Sequence, residues 1–320
     1  MAHRTLIVGL GKIGFLYDLM DKTGKYILTH ASAVTRHEDF ELVGGVDSDE
    51  DKVNEFVTAY QVPGYLDLRE ALEETQPDLL ILAIPTELHL AVVRSTLQIY
   101  KPKLILLEKP LAQSVVDARE ILKICDAAEV SILVNYMRRV DKGVNQIKSL
   151  IDLKIAKPPY RGVVWYNNGL VNNGSHFINL LEYWFGPTLN GKRIVGGKIN
   201  EQQEDCFFDF KEARIHLLEI NSTSYSYSSI EIFASNGRLA LEAKDSAFTW
   251  ATAAPDIRYP DISTLRTKKE FFHFEADLLQ LQVMAEISLH LKGKSNNLCT
   301  GESALATLES IENLETTHGN

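Results

Sequence analysis

Apolar residues along the first 135 positions fall in short, nearly unbroken runs separated by longer stretches of mixed polarity. The runs TLIVGL (5–10), FELVGGVD (40–47), LLILAI (79–84), KLILLE (103–108) and VSILVN (130–135) have strand length and the continuity of strands buried on both faces. The segments between them, such as 87–99 and 114–127, have helical length and spacing. A parallel sheet with helices on both faces is therefore predicted. Past about residue 160 the pattern changes. One helix over 174–185 is followed by RIVGGKI (193–199), CFFDF (206–210), RIHLLEI (214–220), SSIEIFA (228–234) and RLALEA (238–243), which read as antiparallel strands. Asn236-Gly237, between the last two, is a strong hairpin signal. Two helices close the chain at about 275–291 and 301–315, with Thr300 or Ser303 available to cap the second.

These elements predict an α/β protein, with an N-terminal Rossmann parallel sheet followed by an α+β domain built on a large, mostly antiparallel open sheet. A boundary near 136 gives a nucleotide-binding domain at 1–135 and a substrate-binding and oligomerisation domain at 136–320. At 320 residues, two cores are the ordinary expectation. The formal charge of −10 works against binding nucleic acid or an anionic membrane, both of which need a basic face. No apolar run approaches the roughly 20 residues of a membrane span, and the N-terminus leads straight into a strand rather than a signal peptide, so a cytoplasmic protein is expected. Cys125, Cys206 and Cys299 lie far apart without a C-x-x-C pair and are read as free thiols. The histidines lack metal-ligand spacing, and no metal is predicted.

The first strand ends in Gly9-Leu10-Gly11-Lys12-Ile13-Gly14, a G-x-G-x-x-G placed where backbone N–H groups can approach a pyrophosphate. Asp47 ends the second strand, positioned to accept hydrogen bonds from the adenosine ribose, although a surface turn is the plainer reading of such a residue. Asp49, Glu50 and Asp51 surround a single Lys52, a field that disfavours the extra phosphate of NADP and predicts NAD(H). The acid lies 33 residues beyond Gly14 instead of the usual ~20. Residues 15–29 are therefore read as an insertion, with Thr29 as N-cap of the helix proper. Such a loop emerges at the ligand edge, either as a surface excursion or as part of the mouth of the site.

Two further strand ends fall on that edge. Pro85 and Thr86 follow the third apolar run, with His89 at the start of the next helix, and Glu108-Lys109-Pro110 follows the fourth. A lysine there can reach the nicotinamide edge, and burial lowers its pKa toward proton exchange, although a solvated strand-end lysine is commoner. Asn172 lies one helical turn before His176, which sits in the first turn of the helix after Gly174. Oxidising a secondary alcohol requires removal of its hydroxyl proton, and histidine suits that near neutral pH. Arg138 and Arg139 could bind a sugar hydroxyl or an anion, or form an interdomain ion pair. On the strand leading to Asn172, Tyr166 and Asn168 are candidates for the sugar pocket, with Trp165 assigned to core packing.

In their order and spacing, G-x-G-x-x-G at 9–14, Asp47, Pro85 with His89, Glu108-Lys109-Pro110, Arg138-Arg139 and Gly174-x-His176 in a helix ending Trp184-Phe185-Gly186 resemble the Gfo/Idh/MocA family, along essentially the whole chain. The resemblance implies Lys109 as catalytic lysine, often before a cis proline, and His176 as acid/base histidine. Asn172 and Asn179 stand where many members carry aspartate, and an amide cannot accept a proton as a carboxylate does. Asn172 is therefore expected to orient a substrate hydroxyl. Cofactor contacts are expected from Gly9, Gly11, Lys12, Ile13, Gly14, Asp47, Pro85, Thr86, His89, Glu108 and Lys109, and substrate contacts from Arg138, Tyr166, Asn168, Asn172 and His176. The implied activity is NAD(H)-dependent hydride transfer at a ring carbon of a sugar, nucleotide-sugar or cyclic polyol, by a homodimer or homotetramer. The alternative is a non-catalytic NAD-binding sensor of the same fold.

Overall fold

A computed structural model describes residues 2–19, 25–194, 204–220, 224–242 and 247–316. From the N-terminus, β1 (His3–Val8) runs through a π-helical turn at Lys12–Leu16 into the short α1 (Tyr17–Leu19). Then follow α2 (His30–Arg36), β2 (Phe40–Val46), α3 (Glu50–Tyr60), β3 (Gly64–Tyr65), α4 (Leu68–Thr75), β4 (Leu79–Leu82), α5 (His89–Ile99), β5 (Leu104–Leu107), α6 (Val115–Ala127) and β6 (Ser131–Val134). The middle of the chain forms α7 (Lys142–Asp152), β7 (Tyr160–Tyr166), α8 (Ser175–Phe185), β8 (Asn190–Arg193), β9 (Cys206–Asp209), β10 (Ala213–Glu219) and β11 (Ser229–Ala234). It continues through β12 (Gly237–Glu242), β13 (Ala247–Pro255), β14 (Ser263–Leu265) and β15 (Glu270–His273). The last elements are α9 (Leu279–Leu291), β16 (Cys299–Thr300), α10 (Gly301–Glu312) and β17 (Glu315–Thr316).

The chain divides into two compact units, Met1–Val140 with Asp277–Leu305, and Asp141–Ala276 with Ala306–Asn320. Residues 277–305 thus cluster with the N-terminal residues, whereas a single cut near 136 places them in the second domain. Two contacts explain it: Cys299 and Thr300 of β16 pair antiparallel with Val134 and Leu133 of β6, and α9 packs on α2.

Among the described residues the first unit holds a seven-stranded sheet in the order β16-β6-β5-β4-β1-β2-β3, parallel except at β16. Every side chain of β4 and β5 is buried, which is why these strands read as unbroken apolar runs. The chain crosses from β1 to β2 on one side and to β4 on the other, and this reversal opens a crevice at the carboxyl ends of the strands. Phe15 and Phe56 pack edge to face beneath it at a centroid distance of 5.5 Å. Burying each ring contributes about 1.5–3 kcal/mol.

Among the described residues the second unit carries a ten-stranded sheet, largely antiparallel, with β7–β10 and β8–β17 paired in parallel. Val144, Ile147 and Ile151 of α7 and Phe177, Ile178, Leu181 and Trp184 of α8 join Val164, Ile215, Ile230 and Trp250 in one core. The hairpin expected at Asn236-Gly237 is present one residue earlier. Ala234 pairs with Gly237, so Ser235 and Asn236 form the turn and Gly237 opens β12. The glycine is needed for packing, since a Cβ there would lie 2.5 Å from the Trp250 ring. Of the strand read over 193–199, only Arg193 falls in a described strand; residues 195–199 lie outside the described residues, as do 20–24 of the insertion. The three cysteines are buried free thiols.

Candidate functional site

In the first unit the strand ends stay tied together up to the crevice. Gly9 N–H donates to Val46 O and Ala83 N–H to Val8 O, each at 2.8 Å. Gly9 turns with φ of +98°, and a Cβ on it would lie 2.3 Å from Ala83 O, so only glycine lets β1 pass so close to β4. Gly14 is equally confined, because its Cβ would meet Gly9 O at 2.2 Å. Gly11 differs: among the described residues nothing lies within 4 Å of the place its Cβ would take, which leaves that side of the loop open to a ligand. The three glycines therefore do different work, two for chain packing and one for access.

The cleft above this loop has a volume of about 640 Å³ and is lined by Gly9, Gly11, Lys12, Ile13, Asp47 and Pro85, together with Tyr17, Ser48, Lys52 and Leu88 among others. Asp47 joins the loop to the second strand. Its Oδ2 accepts from Leu10 N–H at 2.8 Å and its Oδ1 from Asp49 N–H at 3.0 Å, which leaves lone pairs on both oxygens for ribose hydroxyls. Lys52 lies 3.7 Å from Asp47 and 3.3 Å from Asp49, so its charge is committed to two carboxylates. The Lys52 hydrogen bond holds the Asp49 carboxyl below its ordinary value. An open glycine turn, a carboxylate at the second strand end and a cleft of this size fit a dinucleotide. Gly9, Gly11, Lys12 and Ile13 would face its pyrophosphate, and Asp47 its ribose.

Tyr17, Ser48 and Leu88 were not singled out from sequence. Tyr17 lies near the start of the inserted segment, so that part of it borders the cleft. Thr29 caps α2 as read, its hydroxyl accepting from Ser32 N–H at 3.3 Å.

The remaining strand-end residues are placed differently. Thr86 begins a 3-10 turn behind Pro85 and does not line the cleft. His89 has no exposed surface; Nδ1 lies 3.1 Å from Leu111 O and Nε2 3.2 Å from Ile84 O, so the ring fastens two strand-end loops to each other. Its expected place among the cofactor contacts is thus corrected to a brace behind them, and burial lowers its pKa despite the two carbonyls. Glu108 also turns inward. Its Oε1 receives His30 Nε2 at 2.8 Å and Asn135 Nδ2 at 2.7 Å, and Oε2 faces the Lys109 N–H at 3.3 Å. Asn135 Nδ2 also donates to Gln280 Oε1 at 3.2 Å. Burial pushes the Glu108 carboxyl up, but the His30 and Asn135 hydrogen bonds, the His30 charge and the Lys109 N–H outweigh it and hold it below the ordinary range.

Lys109 is half-buried and follows Glu108 through to a cis peptide bond with Pro110. Burial lowers its proton affinity; the Glu108 charge opposes this and the Arg138 charge adds to it, leaving the amine below an ordinary lysine. Arg138, in the turn after β6, is pushed down to about 10 by burial. Two cationic side chains thus influence each other at this edge, with Glu108 between them in charge.

In the second unit, α8 begins at Ser175, and His176 is half-buried in its first turn. The preceding π-helical turn, Gly169–Gly174, starts from two residues with positive φ, Asn168 at +68° and Gly169 at +79°. Glu219 Oε1 accepts Gly169 N–H and Glu204 Oε2 accepts Leu170 N–H, each at 2.8 Å, so two carboxylates pin the turn that carries Asn172. Neither was legible beforehand. Asn168 and Asn172 are exposed, whereas Asn179 is buried and donates to Thr307 Oγ1 at 3.0 Å.

One expectation is reversed here. Tyr166 is fully buried in the core, its hydroxyl donating to Glu204 O at 2.7 Å, while Trp165 is 42% exposed. Successive strand residues point to opposite faces, and the face that α7 and α8 cover takes Val164 and Tyr166. Tyr166 is therefore a core residue and not a substrate contact.

Residues 3–136 match the oxidoreductase family with an NAD-binding Rossmann fold, GFO_IDH_MocA. That match takes in less than half of the chain and marks residues 3–136 as a domain of this NAD-binding Rossmann type, with NAD(H) as its cofactor. Solved structures share the fold along nearly the full length at low identity. The WlbA dehydrogenase from Bordetella pertussis, crystallised with NADH and UDP-GlcNAcA, is 19% identical with a TM-score of 0.73, covering 98% of this chain and 95% of that one. An NAD-binding oxidoreductase from Klebsiella pneumoniae is 13% identical with a TM-score of 0.77, covering 98% and 96%. A super-repressor mutant of Gal80p from Saccharomyces cerevisiae is 15% identical with a TM-score of 0.78, covering 98% and 95%. No curated protein sequence matches the chain significantly. Among the described residues, no helix is long and apolar enough to cross a membrane.

Proposed function

We propose that the protein is an NAD(H)-dependent dehydrogenase acting on a ring carbon of a sugar, a nucleotide-linked sugar or a cyclic polyol. The observation that carries this reading is Lys109, a half-buried amine at the ligand edge of the NAD-binding domain, whose proton is loosened by burial and by Arg138. When bound, NAD supplies a hydride acceptor. The protein must then remove the hydroxyl proton, and Lys109 takes it. His176 is assigned the second proton-transfer role, and Asn172, carrying both an amide donor and an acceptor, orients a substrate hydroxyl. Arg138 and Asn168 are assigned substrate contacts. UDP-GlcNAcA in the WlbA structure supports a nucleotide-sugar as one candidate class. A cytoplasmic homodimer or homotetramer goes with this reading, since Trp165 and Phe233 expose apolar surface on the strands of the second sheet.

The test is NADH absorbance during incubation with NAD and a panel of inositols, hexoses, uronic acids and UDP-linked sugars, with wild type beside Lys109→Ala and His176→Ala. Turnover on one class, reduced roughly 10²–10⁴-fold in each variant, is the expected result. If both variants stay within about threefold of wild type, the assignment of the proton-transfer groups is wrong. Tight NAD binding without turnover on any class would favour a sensor, the reading to which the fold likeness with Gal80p and the amide at Asn172 lend support.

A further inference from the structure

Glu108 is the meeting point of three segments far apart in sequence. His30 comes from the start of α2, Asn135 from the end of β6, and Gln280 from α9 stands behind Asn135. His30, Asn135 and Gln280 have 1%, 3% and 2% of their surface exposed, so this is an interior arrangement and not a surface ion pair. Glu108 itself keeps 15% of its side chain exposed, and a carboxylate so largely enclosed is costly unless its lone pairs and its charge are both answered. Two donors converge on the same Glu108 oxygen at 2.7 and 2.8 Å, and the other oxygen faces the backbone N–H of Lys109 at 3.3 Å. Gln280 Oε1 takes an Asn135 N–H, which fixes which way the Asn135 amide points.

Among the described residues, the charged and titratable groups that act on this carboxylate or on Lys109 beside it are His30 from α2, Lys109 on its own loop, Arg138 from the turn after β6, which acts on Lys109, and His89 from α5, whose ring is engaged by the carbonyls of Ile84 and Leu111. From α9 comes only the neutral Gln280. In this setting the charge on His30 decides how much of the Glu108 charge is left for its neighbours. With a neutral His30, the Glu108 anion is left to hold the Lys109 ammonium. With an imidazolium on Oε1, that anion is already answered, and the remaining cation, Arg138, disfavours a second positive charge on Lys109.

We propose that His30 is a positioning residue for proton transfer at Lys109: paired with Glu108 Oε1 as an imidazolium, and helped by Asn135, it answers the charge of that carboxylate, which then holds the Lys109 proton less firmly. The inference rests on Lys109 as the proton-transfer group of the proposed dehydrogenase. It gives a purpose to a buried histidine that no motif marks, and ties the inserted segment, which ends at the Thr29 cap just before His30, to the chemistry at the strand end.

The test measures the Lys109 amine directly and needs no substrate. Full-length protein is labelled with trace acetic anhydride across a pH series, and the acetylation of Lys109 is read by peptide mass spectrometry in wild type, His30→Gln, Glu108→Gln and the double variant. Glutamine keeps an N–H donor but no charge. In His30→Gln, labelling near neutral pH should fall about tenfold, equal to a rise of about one pKa unit in Lys109. Glu108→Gln should speed labelling, and in its presence His30→Gln should have no further effect, as expected if His30 acts only through Glu108. Unchanged Lys109 labelling in a folded, NADH-binding His30→Gln protein overturns the proposal. Should that variant not fold, Asn135→Ala serves in its place, with slower labelling expected and an unchanged rate overturning. Absence of turnover on every sugar would sink the dehydrogenase reading without altering these labelling curves, so the two failures are separable.

Discussion

Asp18 Oδ2 accepts hydrogen bonds from both the N–H and the hydroxyl of Thr29, at 2.9 and 2.6 Å, while Oδ1 takes the Leu28 N–H at 2.9 Å. This carboxylate closes the base of the inserted segment and fixes the cap of α2. Asp18→Ala leaves those donors without their acceptor and should cost about 1–3 kcal/mol. Urea unfolding monitored by circular dichroism checks it, and a midpoint equal to wild type would show that the closure adds nothing to stability.

The glycines of the loop should separate by phenotype. Gly9→Ala places a Cβ 2.3 Å from Ala83 O at a φ of +98°, so the variant should be markedly destabilised before any ligand is considered. Among the described residues Gly11→Ala meets nothing within 4 Å, so its melting temperature should stay near wild type. Its NADH affinity should fall at least about tenfold, ~1.4 kcal/mol. Thermal melts and NADH fluorescence titration of the two variants read both arms; equal NADH affinity in Gly11→Ala and wild type contradicts the placement of the pyrophosphate.

Asp47→Ser removes the ribose acceptor and one of the two carboxylates that hold Lys52, which lies 3.7 Å from Asp47 Oδ1 and 3.3 Å from Asp49. Loss of charge-assisted hydrogen bonds worth ~1.5–3 kcal/mol should weaken NADH binding by more than about tenfold. NADPH should lose less, because the substitution also removes the negative charge that repels its extra phosphate and leaves Lys52 one carboxylate fewer to answer. Titrating both cofactors against both proteins gives the ratio, and a preference for NADH unchanged by the substitution contradicts this role.

Asp39, just before β2, accepts from Ser288 Oγ of α9 at 2.5 Å and from Lys292 Nζ, just past the end of that helix, at 2.7 Å. The Lys292 and Ser288 hydrogen bonds lower its carboxyl from 3.8 to about 2. A carboxyl depressed in the folded state stabilises above its unfolded pKa, and that stabilisation is lost as pH falls through the folded value. Wild type should therefore exceed Asp39→Asn in stability above about pH 4, with the gap closing toward about pH 2. Urea midpoints across that window measure it; a constant gap would mean the aspartate acts by shape alone.

Features decided by neighbours in sequence were legible: five of the six described parallel strands, all but the two-residue β3, together with the Thr29 cap and the glycine loop. What escaped depends on long-range meetings. His30 lies 78 residues from Glu108, and Asn135 lies 145 residues from Gln280, so no local pattern marks them. The Trp165/Tyr166 reversal has another cause. Both residues are large and amphipathic, and only the packing of α7 and α8 decides which face of β7 is inside. The one-residue shift of the hairpin was hidden likewise, because Gly237 answers to the Trp250 ring, not to the turn.

The return of residues 277–305 to the first unit bears on how the protein is made. During synthesis the nucleotide-binding half emerges first, yet its β6 edge stays bare and Asp39 lacks Ser288 and Lys292 until nearly the whole chain has left the ribosome. Through that interval the strand edge of β6 is open to other nascent chains. A gene truncated after the last parallel strand would hold the protein in that exposed state permanently.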